Sequence, residues 1–291
     1  MARRSVLFSP GDRPELMWKA PDTGADTVIF DLEDAVAPGR KHEARNAVTD
    51  VLTDEEFDPD CEVVVRINPL PTGAEDLEIV LASEPRIDAI MAPKVESDAD
   101  ARVVVDTVRE FGFELPILTL CESARGVLAA EEIATVPGVD ALVFGAEDLS
   151  ADIGATRTRD GDEISYARQH VVLAGSAADV DVIDTVCTEI EDRDRISEDA
   201  AIAVQFGYDG KVAIHPGQVP IFNDAFTPDE ADVEWAERIL EAKDAADAKD
   251  RGVFRVDGEM IDAPLIAQAE RILERERAAD GPRDHPNPRE K

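Results

Sequence analysis

An α/β barrel of eight parallel strands is the fold this sequence predicts, and three observations predict it. Eight short apolar runs, rich in β-branched residues, recur up to residue 214. They are continuous rather than alternating, the pattern of parallel strands covered on both faces. Helix-like stretches separate them, and 291 residues suit one TIM barrel with an extension. A doubly wound open sheet is the competing arrangement of the same units.

The runs are SVLF (5–8), TVIF (27–30), VVVRI (63–67), AIMA (89–92), PILTL (116–120), ALVF (141–144), DVDVI (179–183) and KVAI (211–214). Helix-like segments lie around 13–23, 40–52, 74–82, 97–111, 125–134, 163–175 and 197–206. The barrel is therefore expected over 1–225. After it, 226–250 reads as a long helix opened by Thr227-Pro228, with Asp229 and Glu230 complementing its N-terminal dipole. GVFRVDGEMID (252–262) reads as a hairpin or loop around Asp257-Gly258, and 263–279 as a further helix. Together they form an expected helical extension over 226–279. The Pro-rich polar end, 280–291, is expected to be disordered.

Composition narrows the function classes. With 44% hydrophobic and 5% aromatic residues the chain can bury a full, mostly aliphatic core. No apolar stretch approaches the roughly 18 residues of a membrane span, and the N-terminal one is too short for a signal peptide. A cytoplasmic protein with no membrane partner is expected. Three scattered cysteines and four histidines without ligand spacing make neither a disulfide framework nor a zinc cluster. Acids outnumber bases by 65 to 30, only seven of the bases are lysines, and the net charge is −35. Because the acids are spread along the chain, they read as a solvated surface suited to high salt, where screening shortens self-repulsion. A docking face for a basic partner is the other reading. Nucleic acid is excluded as a partner, since phosphate needs a basic patch.

In a barrel the chemistry sits at the C-terminal ends of the strands. All eight exits carry polar or charged residues: SPGDRP after the first run, then Asp31, Glu33 and Asp34, then Arg66 and Asn68. Lys94 and Glu96 follow the fourth, Glu122 the fifth, Glu147 and Asp148 the sixth, Asp184 the seventh and His215 the eighth. Glu122 and Asp148, on adjacent exits, suit Mg²⁺, which takes one or two protein carboxylates and leaves its other positions to water and substrate. Mn²⁺ would suit the same ligands. Arg66 has a fork fitted to a carboxylate or enolate oxygen; pairing with Asp31 or Glu33 in the barrel mouth is compatible with that role. Lys94 could form a Schiff base, but surrounding acids would hold its pKa high, so a salt bridge is the stronger reading. His215 is either a core or a site residue, and Cys121 is expected to face the barrel wall. Gly145 and Ala146 leave room beside the backbone N–H groups of the sixth exit, with Glu147 and Asp152 in the turn or behind it.

RSVLFSPGDRPELMWKA, DLEDAV, VVRIN, APKVES, CESARGV, FGAEDLSADIG, GKVAIHPGQV and GEMIDAP follow one another across nearly the whole chain. Together they resemble the citrate lyase β-subunit-like family within the HpcH/HpaI aldolase superfamily, of the malyl-CoA and β-methylmalyl-CoA lyase type. The resemblance implies a barrel with a C-terminal helical lid, assembled as a homotrimer or hexamer. It implies Mg²⁺-dependent cleavage or formation of a 3-hydroxyacyl-CoA, giving glyoxylate and acetyl-CoA or propionyl-CoA. Glu122 and Asp148 match the metal ligands, and Arg66 the arginine that holds the enolate and the 2-oxo acid. Asp31 and Glu33 match acids that orient Arg66 and metal waters. Asp262 matches an acid/base that enters a neighbouring subunit's site. The first loop, with Phe8, Pro10, Arg13 and Lys19, resembles the CoA-contacting segment, and Gly145, Ala146 and Glu147 the substrate side. CES in place of an apolar-Glu-Thr sequence and Gln169 in place of serine are departures that leave the metal pair untouched. A malyl-CoA thioesterase, and a citrate lyase β subunit acting on a carrier-bound citryl group, share these motifs. An acidic, non-enzymatic CoA-binding protein does not need the complete ring.

Overall fold

The computed structural model describes residues 2–247 and 254–280. Beyond Asp280, the tail expected to be disordered lies outside the described residues, as does the start of the expected hairpin. The eight runs become strands β1 (Ser5–Pro10), β2 (Thr27–Asp31), β3 (Glu62–Arg66), β4 (Ala89–Ala92), β5 (Ile117–Cys121), β6 (Val139–Phe144), β7 (Asp181–Asp184) and β8 (Gly210–Ala213). They pair in parallel, each with its neighbour in sequence, and β1 closes on β8. The fold is a closed TIM barrel, and the open sheet is excluded.

Period-two geometry decides what each strand presents inward. Val6, Ile29, Val64, Leu120, Val143 and Ile183 belong to one buried cluster that fills the barrel. Two residues further along, the same inward phase reaches Phe8, Asp31, Arg66, Glu122 and Gly145. The apolar plug therefore gives way to polar groups at one level, where strand ends and loops begin.

Helices α1 (Pro14–Met17), α2 (Lys41–Thr53), α3 (Thr72–Leu81), α4 (Asp98–Glu110), α5 (Ala124–Leu128) and α6 (Ala130–Ala134) cover the first five strands. Next comes α7 (Ala146–Ile153), inside a stretch expected to be an exit loop. Its signals are local: Gly145 at the N-cap, acids Glu147 and Asp148 in the first turn, and Gly154 ending it with φ +68°. Helices α8 (Ser165–Ala178) and α9 (Arg193–Phe206) follow, and then α10 (Val219–Phe226), a second helix not anticipated.

By contact the chain forms two compact units, dividing after Asn223. The second unit contains α11 (Glu230–Asp247), the antiparallel hairpin β9 (Phe254–Val256) and β10 (Glu259–Ile261), and α12 (Ala263–Asp280). Asp257 and Gly258 turn the hairpin with φ +50° and +90°. Ala236, Ile239, Ile261, Ala269 and Leu273 form its own small core.

Outside the barrel wall, between β7, β8, α8 and α9, lies a buried ionic cluster. Lys211 Nζ, fully buried, is 2.5 Å from Asp184 and 2.8 Å from Asp199. Arg168 binds Asp184 through Nε and Nη2 at 2.8 and 2.5 Å.

Candidate active site

Asp31 and Arg66 are the last residues of β2 and β3 and stand opposite each other in the register. Arg66 holds Asp31 with two hydrogen bonds of 2.7 Å, Nε to Oδ1 and Nη2 to Oδ2. Asp31 also accepts the backbone N–H groups of Glu33 (2.8 Å) and Ala35 (2.9 Å). The remaining Arg66 nitrogen, Nη1, is 2.9 Å from Glu33 Oε2, and the guanidinium lies 4.7 Å from the centre of the Phe8 ring. Burial works against the charge of Arg66, but Asp31, Glu33 and Asp34 outweigh it and raise its pKa. Both expected pairings of Arg66 are present.

Glu33 is buried, yet neither carboxylate oxygen receives a hydrogen bond. Arg66 Nη1 and, at 3.5 Å, Lys94 Nζ compensate its charge without satisfying its lone pairs. Burial raises its pKa; Arg66 opposes that rise.

Glu122, one residue past β5, is 3% exposed. Its Oε1 accepts the backbone N–H of Lys94 at 2.8 Å. Lys94 adopts a left-handed φ of +52°, uncommon for a residue with a side chain and costly unless its surroundings hold it there. Burial first, then the charge of Glu33, push the Glu122 carboxyl up to about 8; Asp148 adds to the rise and the Lys94 N–H opposes it. The Lys94 ammonium is raised in turn: burial lowers it, but Glu33, Asp148 and Glu122 prevail. That favours the salt-bridge reading over an amine nucleophile.

Gly145 explains how the sixth exit can lie against the fifth. A Cβ there would meet Glu122 Cβ at 2.5 Å and Oε2 at 3.1 Å. Glycine is required by close approach, and Asp148 follows in the first turn of α7, half-buried.

A domain model for HpcH/HpaI aldolase/citrate lyase matches residues 4–216. The chain belongs to the HpcH/HpaI aldolase/citrate lyase family. It is 40% identical to a citrate lyase subunit beta-like protein of Deinococcus radiodurans, over 94% of this chain and 97% of that one. To the mitochondrial citramalyl-CoA lyase of Homo sapiens it is 33% identical, over 93% and 84% respectively. Among solved structures, CitE from Mycobacterium tuberculosis in complex with magnesium, acetoacetate and coenzyme A matches with a TM-score of 0.79 and 37% identity, covering 94% of this chain and 98% of that one. Membership makes the chain a carbon–carbon lyase.

The donor set fits a hard divalent ion. Among the described residues no three Asp, Glu, His or Cys side chains converge to enclose a metal, so a cage made wholly of protein is absent. Mg²⁺ does not require one: it keeps several waters and uses one or two carboxylates. Glu122 and Asp148 are two carboxylates of that kind at adjacent strand exits. The orphaned oxygens of Glu33 are acceptors of the kind that ion-bound waters satisfy.

Other expected residues fall elsewhere. The N–H of Gly145 donates to Cys121 O (3.2 Å) and that of Ala146 to Thr185 Oγ1 (3.0 Å), so neither is left for a 2-oxo acid. Glu147 is exposed and pairs with Arg157 at 2.8 Å; Asp152 accepts the Ala124 N–H that opens α5. Asp184 is one residue out of the inward phase, in the ionic cluster outside the wall. His215 is exposed and caps a short turn, its Nδ1 accepting the Gly217 N–H. Cys121 is buried, and burial pushes its thiol up to about 12, consistent with a wall residue. Pro10 ends β1; Arg13 and Lys19 are exposed, Arg13 only 3.9 Å from Asp12 and Glu15. Asp262 belongs to the second unit, exposed at the start of α12.

Proposed function

We propose that this chain is a Mg²⁺-dependent lyase that cleaves, or in reverse forms, a 3-hydroxyacyl-CoA of the malyl-CoA or β-methylmalyl-CoA type. One observation carries the reading: a charged Arg66 stands beside a buried Glu33 without hydrogen-bond donors, at the same barrel mouth as Glu122 and Asp148. Bound there by Glu122 and Asp148, Mg²⁺ would supply Lewis acidity toward the oxygens of the hydroxy acid.

In cleavage the substrate hydroxyl gives its proton to water, the carbon–carbon bond breaks, and the 2-oxo acid departs. The electron pair moves into the thioester as an enolate, which then gains a proton at carbon. Arg66, preorganised by Asp31 and Phe8, stabilises the developing oxyanion without having to reorient. Glu33 orients Arg66 and would accept from water held by a bound ion. Asp262, from the lid of a neighbouring subunit in a homotrimer or hexamer, donates the carbon-bound proton. Phe8, Pro10, Arg13 and Lys19 form the CoA side, and Gly145, Ala146 and Glu147 border the oxo acid without hydrogen bonds from the Gly145 and Ala146 N–H groups, which the fold already uses. The barrel over 1–225 is the catalytic domain and 226–279 the lid. The −35 charge suits a cytoplasm of high salt.

A carrier-bound citryl substrate is the second reading, favoured by 34% identity to a citrate lyase subunit beta of Leuconostoc mesenteroides over 93% of this chain. The test is incubation with malyl-CoA, β-methylmalyl-CoA and citramalyl-CoA, with and without Mg²⁺, in high salt. Release of 2-oxo acid together with acyl-CoA supports the lyase. Free CoA thiol with intact hydroxy acid supports a thioesterase. No turnover of any CoA thioester, but turnover of a carrier-bound citryl group, overturns the proposal in favour of the second reading.

A further inference from the structure

Lys41, the first residue of α2, is one of only seven lysines among 65 acidic residues. Its ammonium pairs with no carboxylate among the described residues. It donates instead to two consecutive main-chain carbonyls, Leu32 O at 2.7 Å and Glu33 O. An exposed amine in so acidic a chain would have carboxylates to choose from; this one is half-buried against backbone.

The turn it holds is the one that carries Glu33. On its N–H side, Asp31 accepts from Glu33 and Ala35. On its C=O side, Leu32 O also takes Asn68 Nδ2 at 2.9 Å, and Asn68 is tied to Asp76 through its own N–H (2.6 Å) and Nδ2 (2.8 Å). The Glu33 carbonyl also accepts the Val36 N–H at 3.1 Å, but among the described residues Lys41 is the charged donor on that side and the one donor that spans both carbonyls. Glu33 depends on this more than its neighbours do, because no hydrogen bond anchors its carboxylate oxygens. Its side-chain position is set by the backbone that carries it together with the ion pairs to Arg66 and Lys94.

We propose that Lys41 is a positioning residue: by fixing the Leu32 and Glu33 carbonyls it aims the Glu33 carboxylate at the divalent-ion site. This rests on the metal reading of Glu122 and Asp148 proposed above. Residues acting through a ligand or its waters typically contribute 10- to 100-fold in metal affinity, and Lys41 is assigned to that class.

The test compares wild type with Lys41→Met, which keeps the apolar stem and removes the donors, and with Lys41→Arg, which restores charged donors. Mn²⁺ binding is followed by electron paramagnetic resonance on the full chain in high salt, alongside thermal unfolding without added metal. The expected result is Mn²⁺ affinity about 10-fold or more weaker in Lys41→Met, partly recovered in Lys41→Arg, in folded protein. Should Lys41→Met not fold, weakening of several-fold in folded Lys41→Arg, whose planar fork cannot reproduce one ammonium between two carbonyls, carries the proposal. Lowered thermal stability with unchanged Mn²⁺ affinity in both variants makes Lys41 merely structural and overturns it. If wild type itself binds no Mn²⁺, the metal reading falls, and the proposal with it.

Discussion

Gly145→Ala separates the geometry of the carboxylate ring from its chemistry, because it adds one methyl group and removes no functional atom. The new Cβ would lie 2.5 Å from Glu122 Cβ and 3.4 Å from Glu122 Cα. Ordinary carbon–carbon contact is about 3.5–4.0 Å, so the overlap with Cβ is about 1 Å or more. The obstacle is the root of the side chain rather than a flexible tip, so Glu122 must shift together with its backbone. Overpacking of this kind costs roughly 1–3 kcal/mol, or about 2–4 °C of melting temperature per kcal/mol in a chain of this size. A displacement of about 1 Å at a catalytic group is worth about 100-fold in rate. The folded variant is therefore expected to lose about two orders of magnitude of Mg²⁺-dependent lyase turnover, and to gain less thermal stability from Mg²⁺ than wild type does. Turnover is read as 2-oxo acid release, and stability by melting with and without Mg²⁺. A folded Gly145→Ala protein with wild-type turnover and an unchanged Mg²⁺ response would refute the idea that this exit is built around Glu122.

Two other substitutions probe the same ring, and a third probes the proposed lid. Without Mg²⁺, between pH 4.5 and about 8 the folded chain keeps a proton on Glu122 that the unfolded chain has lost, so this group's contribution to stability falls as pH rises through that window. Glu122→Gln lacks that dependence and should gain on wild type from pH 5 to 8, by up to about 1.4 kcal/mol per pH unit; parallel pH profiles would count against it. Arg66→Lys keeps the charge but loses the fork, exposing the buried Asp31–Arg66 pair to a penalty of up to about 3–5 kcal/mol in urea unfolding. Lyase activity should fall at least about 100-fold alongside, and retained activity would remove Arg66 from the oxyanion role. Asp262→Asn should melt like wild type, because asparagine serves equally well at a helix N-terminus, yet lose about 10²–10⁴-fold of turnover. Wild-type cleavage rates there would show the lid assignment to be wrong.

The strands were legible because a parallel barrel needs continuous apolar runs, and each of the eight runs became one. What the runs alone did not separate was which polar exits face inward. Counting by twos does so: Ile29 leads to Asp31, Val64 to Arg66 and Leu120 to Glu122, whereas Ile183 faces inward and puts Asp184 outside. That parity is present in the sequence but needs one inward residue per strand as an anchor, which only the packed core identifies. Helix α7 was hidden for another reason. Its eight residues are too few for a convincing period, although Gly145 and Gly154 mark both ends. The orphaned oxygens of Glu33 depend on how separate strand exits meet, and the carbonyl contacts of Lys41 on how the chain folds back between β2 and α2; no spacing along the chain encodes either.

The ionic cluster of Lys211, Asp184, Asp199 and Arg168 gives the barrel an asymmetric response to ionic strength. Salt weakens interactions between exposed charges and barely reaches buried pairs. In this chain most exposed charge is of one sign, so what salt weakens is chiefly repulsion. The attractions that tie β7 and β8 to α8 and α9 sit where counter-ions do not penetrate. Concentrated electrolyte thus weakens exposed pairs such as Arg109–Glu114 and Lys243–Glu270, but it also relieves the larger surface repulsion and leaves the internal ties intact.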